Sequence, residues 1–282
     1  MHPTRGTFTG IAQSDDKGPA LIGQMTYSAG NRSARLAFVA PGSAATSPLL
    51  TNLLEGLAWQ AGDWGAFHLL GEIDELSPLF EALRRTGFSV YAWQRIWRLE
   101  APTADGHEPS AWQPVVAVDE PAIRNLFQNL VPPLVQSAEP LPNRRLRGLV
   151  YRQNGEIIGY VDGVQGPHGI FLHPIVHPDL TDACDLVQSL VRCQQRPGRP
   201  VYLAIRSYQS WLEPTLADLP AESTPRHALL VKHLATLQRV PLTARLGVEK
   251  RSSEIPTASI VNHFSDGDLG ANRPALPADP KW

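Results

Sequence analysis

Three observations predict an α/β fold for this chain, with a twisted mixed sheet flanked by helices. The order strand, helix, strand, helix, strand reads twice along it, over 34–99 and again over 169–237. The helical stretches in both copies are amphipathic, with apolar residues at helical spacing. The composition, 43% hydrophobic and 18% charged, is that of a chain that buries a core. The repeat predicts two α/β lobes, at 1–100 and 112–240, joined by a polar, Pro-containing linker at 101–111. Residues 241–282 contain Pro, Ser, Asp and Gly with no sustained period and read as a disordered tail.

In the first copy, "LIGQMTYS" (21–28) and "ARLAFVAP" (34–41) are strands. "TSPLLTNLLEGLAWQAG" (46–62) is a helix capped by Ser47, with Pro48 at its first position and Gly62 as its stop. Leu49, Leu50, Leu53, Leu54, Leu57 and Ala58 form its apolar face. "AFHLLGEI" (66–73) is a buried strand, and "SPLFEALRRTG" (77–87) repeats the Ser-Pro start and Gly stop. "FSVYAWQRIWRL" (88–99) mixes polar and apolar residues as an antiparallel strand or a bent pair of strands does.

The second copy opens with a strand at 112–119 and a helix capped by Asp119, with Ile123, Leu126, Phe127 and Leu130 on its apolar face. A Pro-rich connection (131–145) has room for one short helix, and 147–164 is a hairpin turned at Asn154-Gly155. A strand (169–176), a helix (181–193) and a buried strand (199–207) follow. A helix broken or started at Pro214 and a closing strand (227–237) complete the copy.

The formal net charge of -2 gives no sign of a nucleic-acid partner, and the densest basic group, Arg144, Arg145 and Arg147, is short. Cys184 and Cys193, nine residues apart on one predicted helix, lie roughly 13 Å from each other and cannot pair. No Cys/His cluster has metal spacing. No stretch has the length of a membrane helix, and the first residues lack the apolar run of a signal peptide, so no membrane partner and a reducing, cytoplasmic setting are expected.

A hairpin, a strand ending in V-x-P, a capped helix, a buried strand, a helix ending in "TGF" and a final antiparallel strand resemble the GCN5-related N-acetyltransferase (GNAT) fold. The second copy supplies "VHPDLTDACDLVQSLV" (176–191) and the first "FVAPGSAATSPLLTNLL" with "LRRTGFSVY". Together they cover roughly 20–240 and imply two GNAT-like lobes in tandem. The resemblance implies acetyl-CoA, or another acyl-CoA, as cofactor. Its pyrophosphate would dock on backbone amides where the central strand becomes a helix, since a helix N-terminus offers free donors and the positive end of a dipole.

The family's Arg/Gln-x-x-Gly-x-Gly/Ala pattern is altered in both copies. In the second, Thr181, Cys184 and Leu186 stand at its places, and Asp182 and Asp185 bring negative charge that repels a phosphate. In the first, Ala44, Ser47 and Leu49 stand there with no acid. Val39, Gly42, Ser43, Ala44, Ala45, Thr46 and Ser47 are therefore the candidate cofactor-binding residues, and the alternative reading is a plain loop ending in a Ser cap.

Transfer to an amine needs a base and an acid for the leaving thiolate. The Tyr that the family often places four residues before Gly-Phe is Leu83 here. Tyr91 and Tyr208 are possible substitutes for it. His173 and His177, an even number of residues apart on the second copy's central strand, are candidate bases, with Pro174 between them expected to mark a bulge. Glu72, closing the buried strand of the first copy, is another candidate base. The first copy lacks the strand and two helices that form the family's acceptor lid, whereas the second has them. One reading is thus an N-acyltransferase acting on a small-molecule amine or a peptide N-terminus, with a site shared between the halves. The other is a non-catalytic relative that binds a metabolite or a protein.

Overall fold

The computed structural model describes residues 5–13, 20–99, 111–143, 145–194 and 199–234. The tail expected from 241 onwards, and most of the linker at 101–111, lie outside the described residues. The first half contains β1 (Arg5–Ala12), β2 (Leu21–Ser28), β3 (Ser33–Ala40), α1 (Leu49–Asp63), β4 (His68–Asp74), α2 (Pro78–Arg85) and β5 (Ser89–Leu99). Next come β6 (Trp112–Pro114), α3 (Glu120–Leu130), α4 (Pro133–Ala138), β7 (Leu149–Gln153) and β8 (Glu156–Gly166). The chain then forms β9 (Gly169–Val176), α5 (Ala183–Gln194), β10 (Val201–Arg206), α6 (Glu213–Ala217), β11 (Ala221–Ser223) and β12 (His227–His233).

These strands make one mixed α/β sheet in the order β1-β2-β3-β4-β12-β5-β10-β9-β8-β7-β6, with β11 against β5. Two parallel contacts stand out among antiparallel ones, β3 with β4 and β9 with β10, each bridged by a helix, α1 or α5. A parallel pair needs such a crossover, and the sequence repeat records those two units. Both pairs part early. Ser33–Arg35 pair with His68–Leu70, after which β3 stays with β2 and β4 with β12. Ile170–Leu172 pair with Val201–Leu203, after which β9 stays with β8 and β10 with β5.

The last strand does not close the second half at its own edge. It inserts between β4 and β5, so that a strand following the second half completes the first half's sheet. Strand β5 is one continuous strand that serves both halves. Ser89–Gln94 lie along β12, Gln94–Leu99 lie along β10, and Trp97–Leu99 also pair with β11.

Alternating side chains divide the core by face. Leu69 and Leu230 pack with Leu50, Leu54 and Leu57 of α1 and with Leu83 of α2. On the same side, Trp97, Leu203 and Ile205 pack with Leu186 and Leu190 of α5 and Leu216 of α6. Leu70, Leu229 and Val231 face the other way, beneath Ile123 and Leu126 of α3 and Val135 of α4. Helices α3 and α4 of the second half therefore cover strands of the first.

Local signals explain most boundaries. Ser47 and Ser77 each accept the N–H two residues on, 3.3 Å away, at the starts of α1 and α2. Gly62 does not stop α1: the helix runs one residue further, and Gly65, at φ 95°, takes the left-handed position, as Gly87 does after α2 at φ 90°. Asp119 does not cap α3; its buried carboxylate accepts the Val116 N–H and pairs with Arg152 at 2.5 Å. No bulge occurs at Pro174, because β8 and β9 stay in register from Gly159–Val176 to Gly166–Gly169, and the parting from β10 begins just before it. The first half does have a strand before β2, contrary to the sequence expectation: β1, "RGTFTGIA", pairs antiparallel with β2, and its alternation of Thr with Phe and Ile is the signal that reading missed.

Candidate active site

A row of polar side chains crosses five adjacent strands on the face covered by α3 and α4. Arg206 of β10, Gln94 of β5 and His227 of β12 are direct cross-strand partners. Glu72 of β4 pairs with Leu229, diagonal to His227, and His173 lies on β9, the strand beyond β10, one residue past its last pair with that strand. Each shares a face with an apolar neighbour two residues away, Ala92, Leu229, Leu70 and Ile175 respectively for Gln94, His227, Glu72 and His173. The row lies where both parallel pairs part.

Glu72 and Glu139 organise the row. Gln94 Nε2 donates to Glu72 Oε1 at 2.5 Å, and His227 Nδ1 lies 2.9 Å from the same oxygen. Glu139, just after α4, accepts Arg206 Nη2 at Oε2, 2.9 Å away, and the Tyr91 hydroxyl at Oε1. Arg35 of β3 adds a guanidinium 3.6 Å from Oε1. Ser33 Oγ donates to the Ala138 carbonyl at 2.9 Å, fastening the end of α4 to β3.

Burial and charge set the protonation states. Burial by itself would raise the Glu139 carboxyl; Arg206, then Arg35 and the Tyr91 hydroxyl, hold it below its ordinary value. Burial, then the negative charge of Glu139, raises the Tyr91 phenol. Burial, then the Arg206 guanidinium, pushes the His173 imidazole down to about 4. Burial likewise lifts Tyr208 to about 12. At neutral pH the cluster therefore holds an ionised Glu139, a charged Arg206, and neutral Tyr91 and His173.

Two polar atoms of the row have no protein partner although buried: Arg206 Nη1, a donor, and Gln94 Oε1, an acceptor. Their residues are 7% and 2% exposed. Buried polar groups are normally satisfied, so unpartnered ones mark a place where a ligand or water completes the set.

Beside the row opens a cleft of about 820 Å³, bounded by Arg32, Arg35 and Phe67 of the first half and by Glu139, Pro140 and Asp162 of the second. Arg32 lies over the Phe67 ring, 5.9 Å from its centroid. Arg35 keeps 61% of its side chain exposed.

The candidate bases are thus separated. Glu72, Tyr91 and His173 lie in or against the row, with Tyr208 close to Arg206. His177 lies past the end of β9, where its Nδ1 accepts the Asp179 N–H at 3.2 Å and it borders a different cleft with Asn154 and Asp179. Glu139, Arg206, Gln94, His227 and Arg35 were not singled out by sequence, since cross-strand neighbours leave no local pattern. One signal existed: Arg206 closes the apolar strand "VYLAIR", where an unpaired charge would be costly.

The two possible phosphate loops differ. Gly42–Thr46 form a single 3-10 turn before α1, whose first turn carries no acid, and Val39 and Ala45 pack on the core. At α5, Asp182 Oδ1 already accepts the Asp185 N–H at 2.9 Å, and Gln209 Nε2 occupies the Val176 carbonyl at 3.3 Å where β9 leaves β10. At the second loop a carboxylate stands where a pyrophosphate would sit, whereas the first turn of α1 carries no acid.

Neither family models nor curated proteins match the chain. Solved structures do. A GCN5-related N-acetyltransferase from Kribbella flavida is 12% identical over 83% of this chain and 91% of its own, with TM-score 0.51. One from Sphaerobacter thermophilus is 17% identical over 77% of this chain and 78% of its own, with TM-score 0.48. A tandem GNAT protein from the clavulanic acid biosynthesis pathway is 16% identical over 83% and 84%, with TM-score 0.44. At this identity the likeness speaks for architecture only. With its two crossover units opening into splayed strands, the chain has the fold of the GCN5-related N-acetyltransferases.

Proposed function

We propose that the protein is an N-acyltransferase with one composite site, in which the first half holds the acyl carrier and the second half supplies the lid over the acceptor amine. The observation behind this reading is the polar row, which joins residues of both halves beneath the end of α4. In this reading Gly42, Ser43, Ala44, Ala45, Thr46 and Ser47 would hold the pyrophosphate of acetyl-CoA, with Val39 on the strand leading to them. The carrier would supply an activated acyl thioester. The halves would then be two GNAT-like lobes, divided near 101–111, that have exchanged a strand.

The chain's own groups provide the proton handling. With Nδ1–H donated to Glu72 Oε1, the His227 imidazole keeps Nε2 as an acceptor for a proton of the amine. Tyr91 stays protonated with its hydroxyl donated to Glu139, so it would hold that carboxylate in place rather than serve as the acid for the leaving thiolate.

Thermal melting with millimolar acetyl-CoA tests the reading, since a ligand selective for the native state raises the midpoint. The wild type is expected to gain several degrees. Ala45→Glu should abolish the gain while Ala183→Glu, at the loop already blocked by Asp182, should leave it in place. No gain in the wild type would sink the proposal. Glu72→Gln and His227→Asn should each lower the acylation rate about 100-fold with little change in the acetyl-CoA midpoint shift.

The non-catalytic reading rests on a separate observation: the cap at Asp182 and the Gln209 amide close one of the two cofactor sites. Acetyl-CoA binding without turnover of any amine would favour it.

A further inference from the structure

The sheet has two ends, and they are finished differently. At one end β6 is three residues long and closes on Pro114, which has no N–H to offer a further strand. At the other end β1 runs for eight residues with neither Lys nor Pro, and among the described residues it pairs with β2 alone. Every second residue of such a strand turns its N–H and C=O away from its partner, so the edge is a template for one more strand.

Beside this edge lies a groove of about 730 Å³ between β1 and α1, with Phe8 and Gly10 on the strand and Asn52, Gly56 and Trp59 on the helix. None of the thirteen residues that line it is charged, in a chain where 18% are. Depletion of charge around an aromatic side chain is the composition of an interface core, not of solvated surface. Trp59 is nevertheless 66% exposed. On the face of β1 turned away from α1, Ile11 pairs with Ile22, and the two are 67% and 38% exposed.

Gly56 adds an observation of another kind. It stands in the middle of α1, where glycine weakens a helix relative to alanine. A Cβ added there would meet nothing within 4 Å, so the packing of the chain itself does not call for the missing side chain. Close approach of a second helix would.

We infer that β1 and α1 form the interface of a symmetric dimer, in which β1 pairs antiparallel with β1 of a second copy and the two sheets become one. A second copy is the occupant that these features fit. A two-fold axis sets the same patch against itself, so a charged patch would repel its own image and an uncharged one does not. The same axis carries α1 of the second copy to the same face of the joined sheet, where Gly56 and Trp59 of each helix meet the other. The groove and the first residues of β1 together fall just under the roughly 20–30 residues a side of a specific interface. The dimer is separate from the transfer reading, since it uses no residue of the polar row or of the loop at 42–47.

Sedimentation of the full chain from about 1 to 100 μM tests the inference. The wild type is expected to reach twice the mass of one chain at the upper concentrations. Ile11→Lys and Trp59→Glu set like charges against each other across the axis, and each should weaken dimerisation about 100-fold. Gly56→Ala should weaken it about tenfold while raising the melting midpoint of the dilute monomer, which separates loss of the interface from loss of the fold. Val118→Lys, at a position 80% exposed in the second half, should dimerise as the wild type does. Hydrogen exchange should find the β1 amides protected at the upper concentrations and open on dilution. A wild type that stays monomeric throughout, as it would if the groove served a different protein, would overturn the inference. So would a dimer that withstands all three interface substitutions, or β1 exchange that does not change with concentration.

Discussion

Glu139 accepts two hydrogen bonds and faces a third donor in a site where its own burial opposes its charge. Removing one partner of such a group is more costly than its exposed counterparts would suggest, because the remaining charge stays buried. Arg206→Met should therefore lower stability by about 3–5 kcal/mol in denaturant titration. His173 makes a pH prediction. Its folded pKa, about 4, lies below its ordinary 6.5, so the buried neutral imidazole contributes stability that is complete above pH 6.5. That contribution disappears as pH falls from 6.5 towards 4, and it amounts to up to about 3 kcal/mol. Glu139, with a lowered pKa, loses its contribution only at lower pH than an ordinary carboxyl would. Melting curves between pH 7 and 4 should thus fall in the wild type, and His173→Gln should flatten them. An unchanged slope in the variant would show that another group sets the acid limit.

At the scale of elements, β12 links the second half to the sheet of the first. Leu230 is 0% exposed and packs in the cluster formed by α1 and α2, although it stands about 150 residues beyond them. Leu230→Ala should cost about 2–5 kcal/mol, as a large-to-small change in a full core does. The loss should appear as one cooperative transition, with protection of β4 amides reduced together with that of β12. Slower exchange in β4 than in β12 in the variant would show that the first half holds together without its borrowed strand.

For the molecule as a whole, the exchange of strands makes the halves dependent on each other. A fragment of residues 1–111 would lack the strand between β4 and β5, and would leave Leu70, Tyr91 and Ala92 without α3 and α4 over them. It should be unfolded or aggregated by circular dichroism, because exposed strand edges and apolar faces invite non-native pairing. A cooperative melting transition from that fragment would refute the dependence. Much of the fold was legible from local residues: the Ser-Pro starts, the Leu face of 49–57, the Asn154-Gly155 hairpin and the two crossover units. Gly62 against Gly65 shows the limit, since two glycines near a helix end compete and packing chooses between them. The acid at Asp182 was also legible in advance, because a cap needs only its neighbours.

The sequence by itself determined most of the stretches that become helices and strands, though not β1 or β11, and that they form two crossover units. Those choices depend on periodicity, caps and turns within about ten residues of one another. Only the tertiary structure decided that β12 completes the first half, that α4 closes over β3, and that Arg206, Gln94, His227 and Glu72 stand in one row. These positions lie up to 155 residues apart, and cross-strand register, which no local pattern encodes, is what brings them together.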